Sequence, residues 1–457
     1  MKRYLLPFYK NEAENLYNYI KNKYAPFGIE KGLLNRINGE YIGFFGTVKF
    51  IESLIFLYKF TKNKKYLDDF KKLIKFCQSK AVKRGIEDFW RVSDGKGSDW
   101  IESNHLGIVA FSIYLYYKET NDKSFNDFAI FLMKQIPKIN GSGQFIQGYN
   151  KDMSKTDARS YLADHSEMLL GFWACYNMTG DITYKNYYKG IYEFFDDNIK
   201  AIPSEEPYRA WLVGPYHINY GEGTSNEVYC DESHTTYEQF FISRDIVMTE
   251  EEKEYDNMRD SCEWANNIAK FDDSLYGYNR RDNKMIGWSG YISALNYWVY
   301  LTEKDERYYR QSIETLNRIL DFKNSEGGYE SIIMLDHSID WEDMENNCAG
   351  LGSIWQQNSI LETFAITEAL DNKEFSLWKL DKSNSRVKEI VYDDKERSLL
   401  VKIFNPLLEV NEFKFISKKD IKDIVIKGEK IKFRKERMDF YFSIKPYEGD
   451  FEVEILF

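Results

Sequence analysis

Cysteine and histidine are scarce in this 457-residue chain, and this scarcity limits what the protein can be. Five cysteines form no Cys-x-x-Cys pair and no metal-finger spacing. An odd, scattered set of cysteines also gives no sign of a disulfide framework. We therefore expect a protein of the reducing cytoplasm that needs neither a metal nor another cofactor.

Long apolar runs and basic runs are missing as well. No segment approaches the roughly 20 apolar residues of a membrane-spanning helix, and charged residues interrupt the apolar stretch near the N-terminus where a secretory signal would lie. Lysine and arginine total 62 against 73 acidic residues, a net charge of −11. We expect neither a membrane nor a nucleic acid as a partner. The sequence does not fix the oligomeric state.

What the chain does contain is a repeat of about 60 residues. Its signature is Thr, then Asn or Asp two positions later, then an aromatic residue five positions after the Thr. Clear copies begin at Thr61, Thr120 and Thr179, which are 59 residues apart, and looser copies include Thr302 and the region before Phe375. This period predicts six helical hairpins between about 44 and 385.

Each hairpin joins a mostly apolar run, such as 43–60, to a run that alternates charged and aromatic residues, such as 66–76. The first pattern predicts an inner helix and the second an outer helix with one solvated face. The Asn or Asp of the signature is expected to cap the outer helix. Long loops connect successive hairpins, so every inner helix starts on the long-loop side, where functional residues are expected.

The pattern changes after about residue 385. Short alternating segments, such as 399–404 and 451–455, predict half-buried strands. The predicted fold is therefore mainly α: an (α/α)6 toroid of six helical hairpins over residues 1–385, followed by a small antiparallel β domain over residues 386–457. The β domain contains no histidine or cysteine. We expect it to be a packed appendage without chemistry.

The histidines lie in the long loops or in the first turn of an inner helix. Their side chains titrate near neutral pH. Three occupy similar places in successive hairpins, as does Asp164, and we expect these four side chains to converge at one pocket. The five histidines are His105, His165, His217, His234 and His337.

Carboxylates gather in the same loops. Cleavage of a glycosidic bond by hydrolysis needs a carboxylic acid that protonates the leaving oxygen and a carboxylate that activates water or attacks carbon. We expect Asp164 to be the general acid or base, with Asp231 or Glu232 opposite it. His105, His165 and His234 would complete the catalytic site.

Aromatic residues make up 17% of the chain, and many lie in the long loops. Flat apolar rings with polar edges stack on sugar rings. Arginine in the same loops is the natural partner of a sugar carboxylate. The predicted substrate-binding residues are Asn104, Trp90, Trp100, Arg159, Trp211, His217, Tyr229, Arg280, Trp288, Tyr291 and His337.

The hairpins, aromatic loops and small β domain resemble the six-hairpin (α/α)6-toroid carbohydrate-active enzymes. That group includes unsaturated glucuronyl hydrolases and polysaccharide lyases of the heparinase and alginate lyase type. Ser103-Asn104-His105 looks like the Asn-Asn-His motif of the lyases, in which Asn neutralises a uronate carboxylate and His assists proton abstraction. Those lyases also place a Tyr beside a later His, whereas here Asp164 precedes His165 and Tyr161 is displaced.

The favoured interpretation is a glycoside hydrolase that cleaves a short, uronate-containing oligosaccharide. A lyase would instead act by β-elimination through His105 and Tyr161, with Asn104 holding the carboxylate. A sugar epimerase with two opposed histidines is a third hypothesis. The fourth is a toroid that binds glycans without turnover.

Overall fold

A computed structural model gives the structure of the chain. It describes residues 2–4, 10–33, 35–37, 40–42, 44–86, 100–139, 143–157, 161–201, 205, 207–212, 234–277, 284–303, 305–330, 332–333, 357–364, 375–379, 386–393, 395–405, 410–417, 419–436, 439–445 and 449–457.

Helices dominate the described part of the chain up to residue 364. None of them is both long enough and apolar enough to cross a membrane. The helices are α1 (Lys10–Tyr24), α2 (Phe44–Thr61), α3 (Lys64–Ser79), α4 (Ser103–Thr120), α5 (Asn126–Gln135), α6 (Leu162–Thr179), α7 (Ile182–Asp196), α8 (Thr236–Thr249), α9 (Tyr255–Trp264), α10 (Ile286–Glu303), α11 (Glu306–Leu320) and α12 (357–364).

The even-numbered helices pack in sequence order. Helix α2 lies against α4, α4 against α6, α6 against α8 and α8 against α10. Gly290 of α10 lies against Thr363 of α12. The amide of Asn358 in α12 donates to the Gly46 carbonyl oxygen in α2 at 3.1 Å. These contacts close a ring of six inner helices, and α3, α5, α7, α9 and α11 each pack outside their preceding partner.

Helix α1 occupies the remaining outer position. The Tyr17 hydroxyl donates to Asp69 of α3 at 2.5 Å, while Glu12 accepts from Lys323, just beyond α11, at 2.6 Å. The sequence pattern placed the last repeat around Phe375 instead. That prediction is wrong, because Phe375 begins a β-strand.

The threonine signature works through paired hydrogen bonds. The Thr61 hydroxyl donates to the Leu57 carbonyl at 2.6 Å and accepts from the Asn63 N–H at 3.1 Å. Asn63 then caps α3 by accepting from the Lys65 N–H. Asp181 and Asp305 cap α7 and α11 in the same way, so the predicted capping role is confirmed at these three helices.

The β region is antiparallel and consists of two sheets. The six-stranded sheet has the order β1-β14-β15-β21-β17-β18, and the four-stranded sheet has the order β13-β16-β20-β19. Buried side chains of both sheets form a core separate from that of the helices. These strands are β1 (Lys2–Tyr4), β13 (Phe375–Lys379), β14 (Arg386–Asp393), β15 (Ser398–Asn405), β16 (Asn411–Ser417), β17 (Asp423–Ile426), β18 (Glu429–Ile431), β19 (Phe433–Glu436), β20 (Asp439–Ile444) and β21 (Gly449–Leu456).

Short strands lie between the helices. They pair locally as β2 with β3, β4 with β5, β7 with both β6 and β8, β9 with β10, and β11 with β12. They are β2 (Asn35–Ile37), β3 (Glu40–Ile42), β4 (Ala81–Val82), β5 (Gly85–Ile86), β6 (Trp100–Glu102), β7 (Gly148–Asn150), β8 (Thr156–Asp157), β9 (Ile199–Lys200), β10 (Ala210–Trp211), β11 (Lys284–Met285) and β12 (Ile332–Ile333).

The predicted order of a mainly helical region followed by a small antiparallel β region is confirmed. Two strands extend the β region beyond the expected residues 386–457. Strand β13 precedes that range, and β1, at the start of the chain, pairs with β14 through Lys2 and Asp393.

Helices α4 and α6 approach each other through glycine. A methyl group at Gly107 would come within 2.3 Å of the Glu167 carbonyl oxygen, and one at Gly171 within 2.8 Å of the Gly107 Cα. This close approach sets the spacing of two inner helices whose first turns carry candidate site residues.

We predict that Gly107→Ala lowers stability by about 1–3 kcal/mol, because overpacking must push α4 and α6 apart. Gly190→Ala in α7 is the matched control. There the nearest atom would be the Gly143 Cα at 3.4 Å, and alanine favours the helix by up to about 1 kcal/mol. Thermal unfolding of both variants checks this, and an equal effect of the two substitutions would contradict the tight α4–α6 contact.

Candidate active site

Asp164 lies in the first turn of α6 and is half-buried. The Asn104 side chain, near the start of the neighbouring α4, donates to one of its carboxylate oxygens at 3.0 Å. A helix N-terminus favours a negative charge. The contact therefore holds a carboxylate at the starting ends of two inner helices and brings together Asn104 and Asp164.

Tyr237 approaches this carboxylate from α8. Burial raises the pKa of its hydroxyl well above the usual range, and the charges of Glu167 and Asp164 add to the shift. Its ring centre lies 5.4 Å from that of Trp288 and 4.3 Å from that of Phe241. Tyr237 is thus a protonated donor beside two carboxyl groups, set among aromatic rings. The sequence analysis did not single it out.

A buried ion pair lies one turn further along α6. Lys49 of α2 donates to Glu167, and both side chains are fully buried. The Lys49 ammonium also lies 4.1 Å from the centre of the Phe241 ring, a favourable cation–π distance. Asp164 and Glu167 are three residues apart and therefore share one face of α6.

A second group of buried charges joins other inner helices. Arg244 of α8 donates to both carboxylate oxygens of Glu52 in α2, at 3.1 and 3.2 Å, and to Glu362 in α12 at 3.4 Å. The Tyr291 hydroxyl donates to Glu362 at 2.8 Å. Together with Lys49 and Glu167, these side chains form what we call the cross-ring ion network.

Not all carboxyl groups at the ring centre carry a full charge near neutral pH. Burial raises the pKa of Glu52 to about 7, with Glu362 adding to the shift and Arg244 opposing it. The Glu52 shift reduces the negative charge that Lys49 and Arg244 must balance. Burial also raises the pKa of Asp245, which follows Arg244 in α8 and interacts with Ser166 of α6, well above its usual range.

His165 does not face Asp164. Its Nε2 accepts from the Phe145 N–H at 3.0 Å, and its Nδ1 lies 2.9 Å from the Tyr161 carbonyl. The ring contacts Phe194 of the outer helix α7. Burial lowers the pKa of His165 to about 4, so the ring is neutral. We therefore correct the predicted catalytic role, since both ring nitrogens hold backbone groups.

His234 also faces the outer layer. Its ring packs edge-on against Trp264 at the end of α9, and its Nδ1 lies 3.3 Å from Glu205. The predicted convergence with Asp164 is therefore wrong for His165 and His234. His105 is buried, and its backbone N–H bonds the Asn104 side chain at 2.9 Å.

The predicted aromatic residues divide into two groups. Trp100 is half-buried, and its indole N–H donates to Glu102 at 2.7 Å. Trp288 is 6% exposed and contacts Tyr237. Trp211 and Tyr291 are fully buried, Tyr291 stacking on Phe240. The prediction that Trp211 and Tyr291 contact the substrate is therefore wrong, because both side chains are part of the core.

Tyr161 is half-buried and immediately precedes α6. The remaining predicted residues lie outside the described part of the chain. They are Asp231, Glu232, Trp90, Arg159, His217, Tyr229, Arg280 and His337.

The neutral state of His165 has a testable consequence. Its folded pKa, about 4, lies below the usual 6.5. The stabilising contribution of His165 to the free energy of unfolding is therefore fully present above pH 6.5. It declines as the pH falls towards 4, because the unfolded chain binds the proton more readily, and the loss is roughly 2 kcal/mol at pH 5. We predict that His165→Gln destabilises the protein at pH 8 and costs much less at pH 5. Urea unfolding midpoints at both pH values measure this difference, and a penalty independent of pH would contradict it.

The buried Lys49–Glu167 pair leads to a second prediction, on the stability of single and double variants. Lys49→Met leaves Glu167 buried without its cation, which should cost about 3–5 kcal/mol. The double variant Lys49→Met/Glu167→Gln removes both charges and should recover part of that loss. Melting temperatures of the two variants provide the measurement. A double variant less stable than Lys49→Met would show that the pair is not the source of the effect.

No protein-family model matches the chain, and neither does any curated protein sequence. Solved structures do match in fold. A D-mannose isomerase shares 13% identity at a TM-score of 0.57, covering 77% of this chain and 96% of its own. A cellobiose 2-epimerase from Bacillus thermoamylovorans B4167 shares 15% identity at a TM-score of 0.57, covering 76% and 99%. An inactive α-1,6-mannanase of Salegentibacter sp. HEL1_6, in complex with α-1,6-mannotriose, shares 14% identity at a TM-score of 0.53, covering 78% and 99%.

These neighbours are carbohydrate-active enzymes of the α/α-toroid class, and at such low identity the likeness shows the fold alone. The toroid class expected from the sequence is confirmed. The specific resemblance to unsaturated glucuronyl hydrolases or to the lyases is not found among these structures. The chain therefore has the fold of α/α-toroid carbohydrate-active enzymes.

Proposed function

We propose that the protein is a glycoside hydrolase built on a complete six-hairpin (α/α)6 toroid, and that Asp164 is its general acid or base. The observation that supports this most directly is the half-buried Asp164, held by Asn104 at the starts of two inner helices. The half-buried Tyr237 provides a ring on which a sugar can stack, and the buried Trp288 packs against it.

Among the described histidines, the arrangement of His165 and His234 does not support an opposed catalytic pair. An epimerase with two opposed histidines needs two imidazoles that face the substrate and titrate near neutral pH. His165 is neutral with both nitrogens engaged, and His234 packs on Trp264. Within the described residues only His105 is left for that role.

The environment of Tyr237 suits a hydrogen-bond donor rather than the base of an elimination, whereas the lyase hypothesis names Tyr161 and stays an alternative. A lyase tyrosine that abstracts a proton must lose its own proton first. Glu167 and Asp164 oppose ionisation of Tyr237 and raise its pKa further. Tyr237 is thus suited to donate a hydrogen bond to a sugar hydroxyl or leaving group.

The mannanase neighbour was inactivated by replacing two adjacent aspartates. Adjacent aspartates occur in this chain at 68–69, 196–197, 272–273 and 393–394. None of these pairs starts an inner helix, since the first lies in α3 and the second at the end of α7. The proposed reaction therefore combines Asp164 of α6 with a carboxylate from another part of the chain rather than using two adjacent aspartates.

In the proposed reaction, Asp164 protonates the oxygen of the leaving sugar. Asn104 occupies one carboxylate oxygen and orients the other. The partner carboxylate, which activates water or attacks carbon, is predicted to be Asp231 or Glu232. The substrate is predicted to be a short oligosaccharide with a uronate that pairs with Arg159 or Arg280. The cytoplasmic setting stays a prediction from the cysteine pattern.

We predict that Asp164→Asn lowers turnover by about 100-fold or more, the usual worth of general acid–base catalysis, while oligosaccharide binding stays nearly intact. Tyr161→Phe should matter much less. Asp127→Asn, an exposed site in the outer helix α5, is the matched control. New reducing ends would be counted with paired uronate and neutral oligosaccharides of equal length.

The same incubations separate the alternatives. Absorbance from a new C=C bond that Asp164→Asn leaves unchanged would replace hydrolysis with elimination. Deuterium uptake from D2O into an unbroken sugar would establish epimerisation. If the oligosaccharide binds without forming any product, and Asp164→Asn does not change that binding, the hypothesis of a glycan-binding toroid without turnover would be supported.

A further inference from the structure

A cleft of about 840 Å³ lies in the β region, remote in sequence from Asp164. It lies where the chain passes from β18, at the edge of one sheet, through Lys432 to β19, at the edge of the other. Its volume is within the roughly 300–1,000 Å³ of small-molecule sites. Residues of β16, β17 and β20, together with Lys445, complete the lining.

The charge of this cleft is opposite to that of the chain. Lys430, Lys432, Arg434 and Lys445 line it, against two carboxylates, in a protein of net charge −11. Lys430 pairs with Asp423 at 2.7 Å. Lys432 makes no ion pair within the part of the chain that the structure describes. An excess of cations therefore favours an anionic ligand.

Aromatic rings accompany these cations. The Arg434 guanidinium lies 4.7 Å from the centre of the Tyr441 ring, its cross-strand partner. Tyr441 and Phe433 are half-buried, so each keeps part of its ring accessible. The guanidinium covers one face of the Tyr441 ring, so the rest of that ring and the Phe433 ring are left for a ligand's apolar C–H face, while the guanidinium suits its carboxylate.

Lysines on edge strands can also serve only to prevent edge-to-edge pairing. That role requires charge along the strand but neither a cleft nor half-buried rings beside it. The combination of cavity, cations and accessible rings goes beyond edge protection.

We propose that this cleft, which we call the β18–β19 cleft, binds an acidic oligosaccharide and is a second carbohydrate site, separate from the ring of inner helices. The proposal does not depend on hydrolysis at Asp164. It changes the expected role of the β region from a packed appendage to a binding module.

The test compares the full chain with the variant Lys432→Ala/Arg434→Ala, whose side chains are both exposed. Lys395→Ala, exposed in the turn between β14 and β15, is the matched control. Calorimetry with a galacturonic acid trimer and the neutral galactose trimer measures affinity. Hydrogen exchange of peptides over 411–417 and 429–445 locates the binding site. Tyr441→Leu provides an independent change to the stacking surface.

We expect the acidic trimer to protect these peptides from exchange and the neutral trimer to bind more weakly. The double variant should lose roughly five- to tenfold in affinity, the scale of two exposed charge contacts, and the wild-type affinity should fall as salt rises. Tyr441→Leu should weaken binding, whereas Lys395→Ala should not.

Unchanged affinity in the double variant, or protection only outside these peptides, would overturn the proposal. Equal competition by inorganic phosphate would overturn it in favour of a simple anion site. A wild-type dimer that the double variant dissociates would show that a second copy covers the cleft. Aggregation of the double variant with unchanged trimer affinity would leave edge protection as the role of these cations.

Discussion

The cross-ring ion network is the constraint on which the rest of the helical region depends. Arg244 and Glu52 come from helices α8 and α2, which are opposite in the order of the ring, and Lys49 reaches past α4 to Glu167 in α6. Removing such charges from water costs several kcal/mol for each ion, so they are tolerated only where partners meet with good geometry. The network therefore fixes the relative positions of α2, α6, α8 and α12. Contacts between neighbouring helices alone would constrain these positions less.

The candidate site inherits its geometry from this network. Glu167 is held by Lys49, and Asp164 lies one turn earlier on the same face of α6. The close approach at Gly107 then sets where Asn104, on the same helix α4, meets Asp164. Tyr237 is exposed to the charges of both carboxylates, which keeps it protonated. The half-buried Asp164 thus lies on a helix, one turn from the buried Lys49–Glu167 pair, rather than on a loop. A rigid helical position of this kind is what precise positioning of a catalytic group requires.

The sequence predicted the helical hairpins well because their turns are local. Thr61 and Asn63 make the hydrogen bonds that end one helix and begin the next, all within a few residues. The outer role of α1 was missed, since ring closure depends on contacts hundreds of residues apart, such as Lys323 with Glu12. The sequence prediction that His165 faces the same pocket as Asp164 failed for a geometric reason. Adjacent residues on a helix point about 100° apart, so Asp164 and His165 cannot both face the ring centre. Lys49 and Glu52 are visible in the sequence as charged residues inside an otherwise apolar run. The average hydrophobicity of that run predicts an inner helix but does not predict that these two side chains form buried ion pairs.

The same architecture serves an isomerase, an epimerase and a mannanase, so it does not determine the reaction. In this chain the described titratable groups of the helical region divide between two layers. Carboxyl groups and two cations lie at the ring centre, whereas His165 and His234 are used between the inner and outer helices. Apart from His105, the titratable groups at the described centre that suit acid–base chemistry are carboxyl groups, whose proton affinity burial and neighbouring charge can tune. The neutral His165 ring instead binds the Phe145 N–H and lies against the Tyr161 carbonyl just before α6, so a scarce histidine contributes to the site through the structure that positions Asp164.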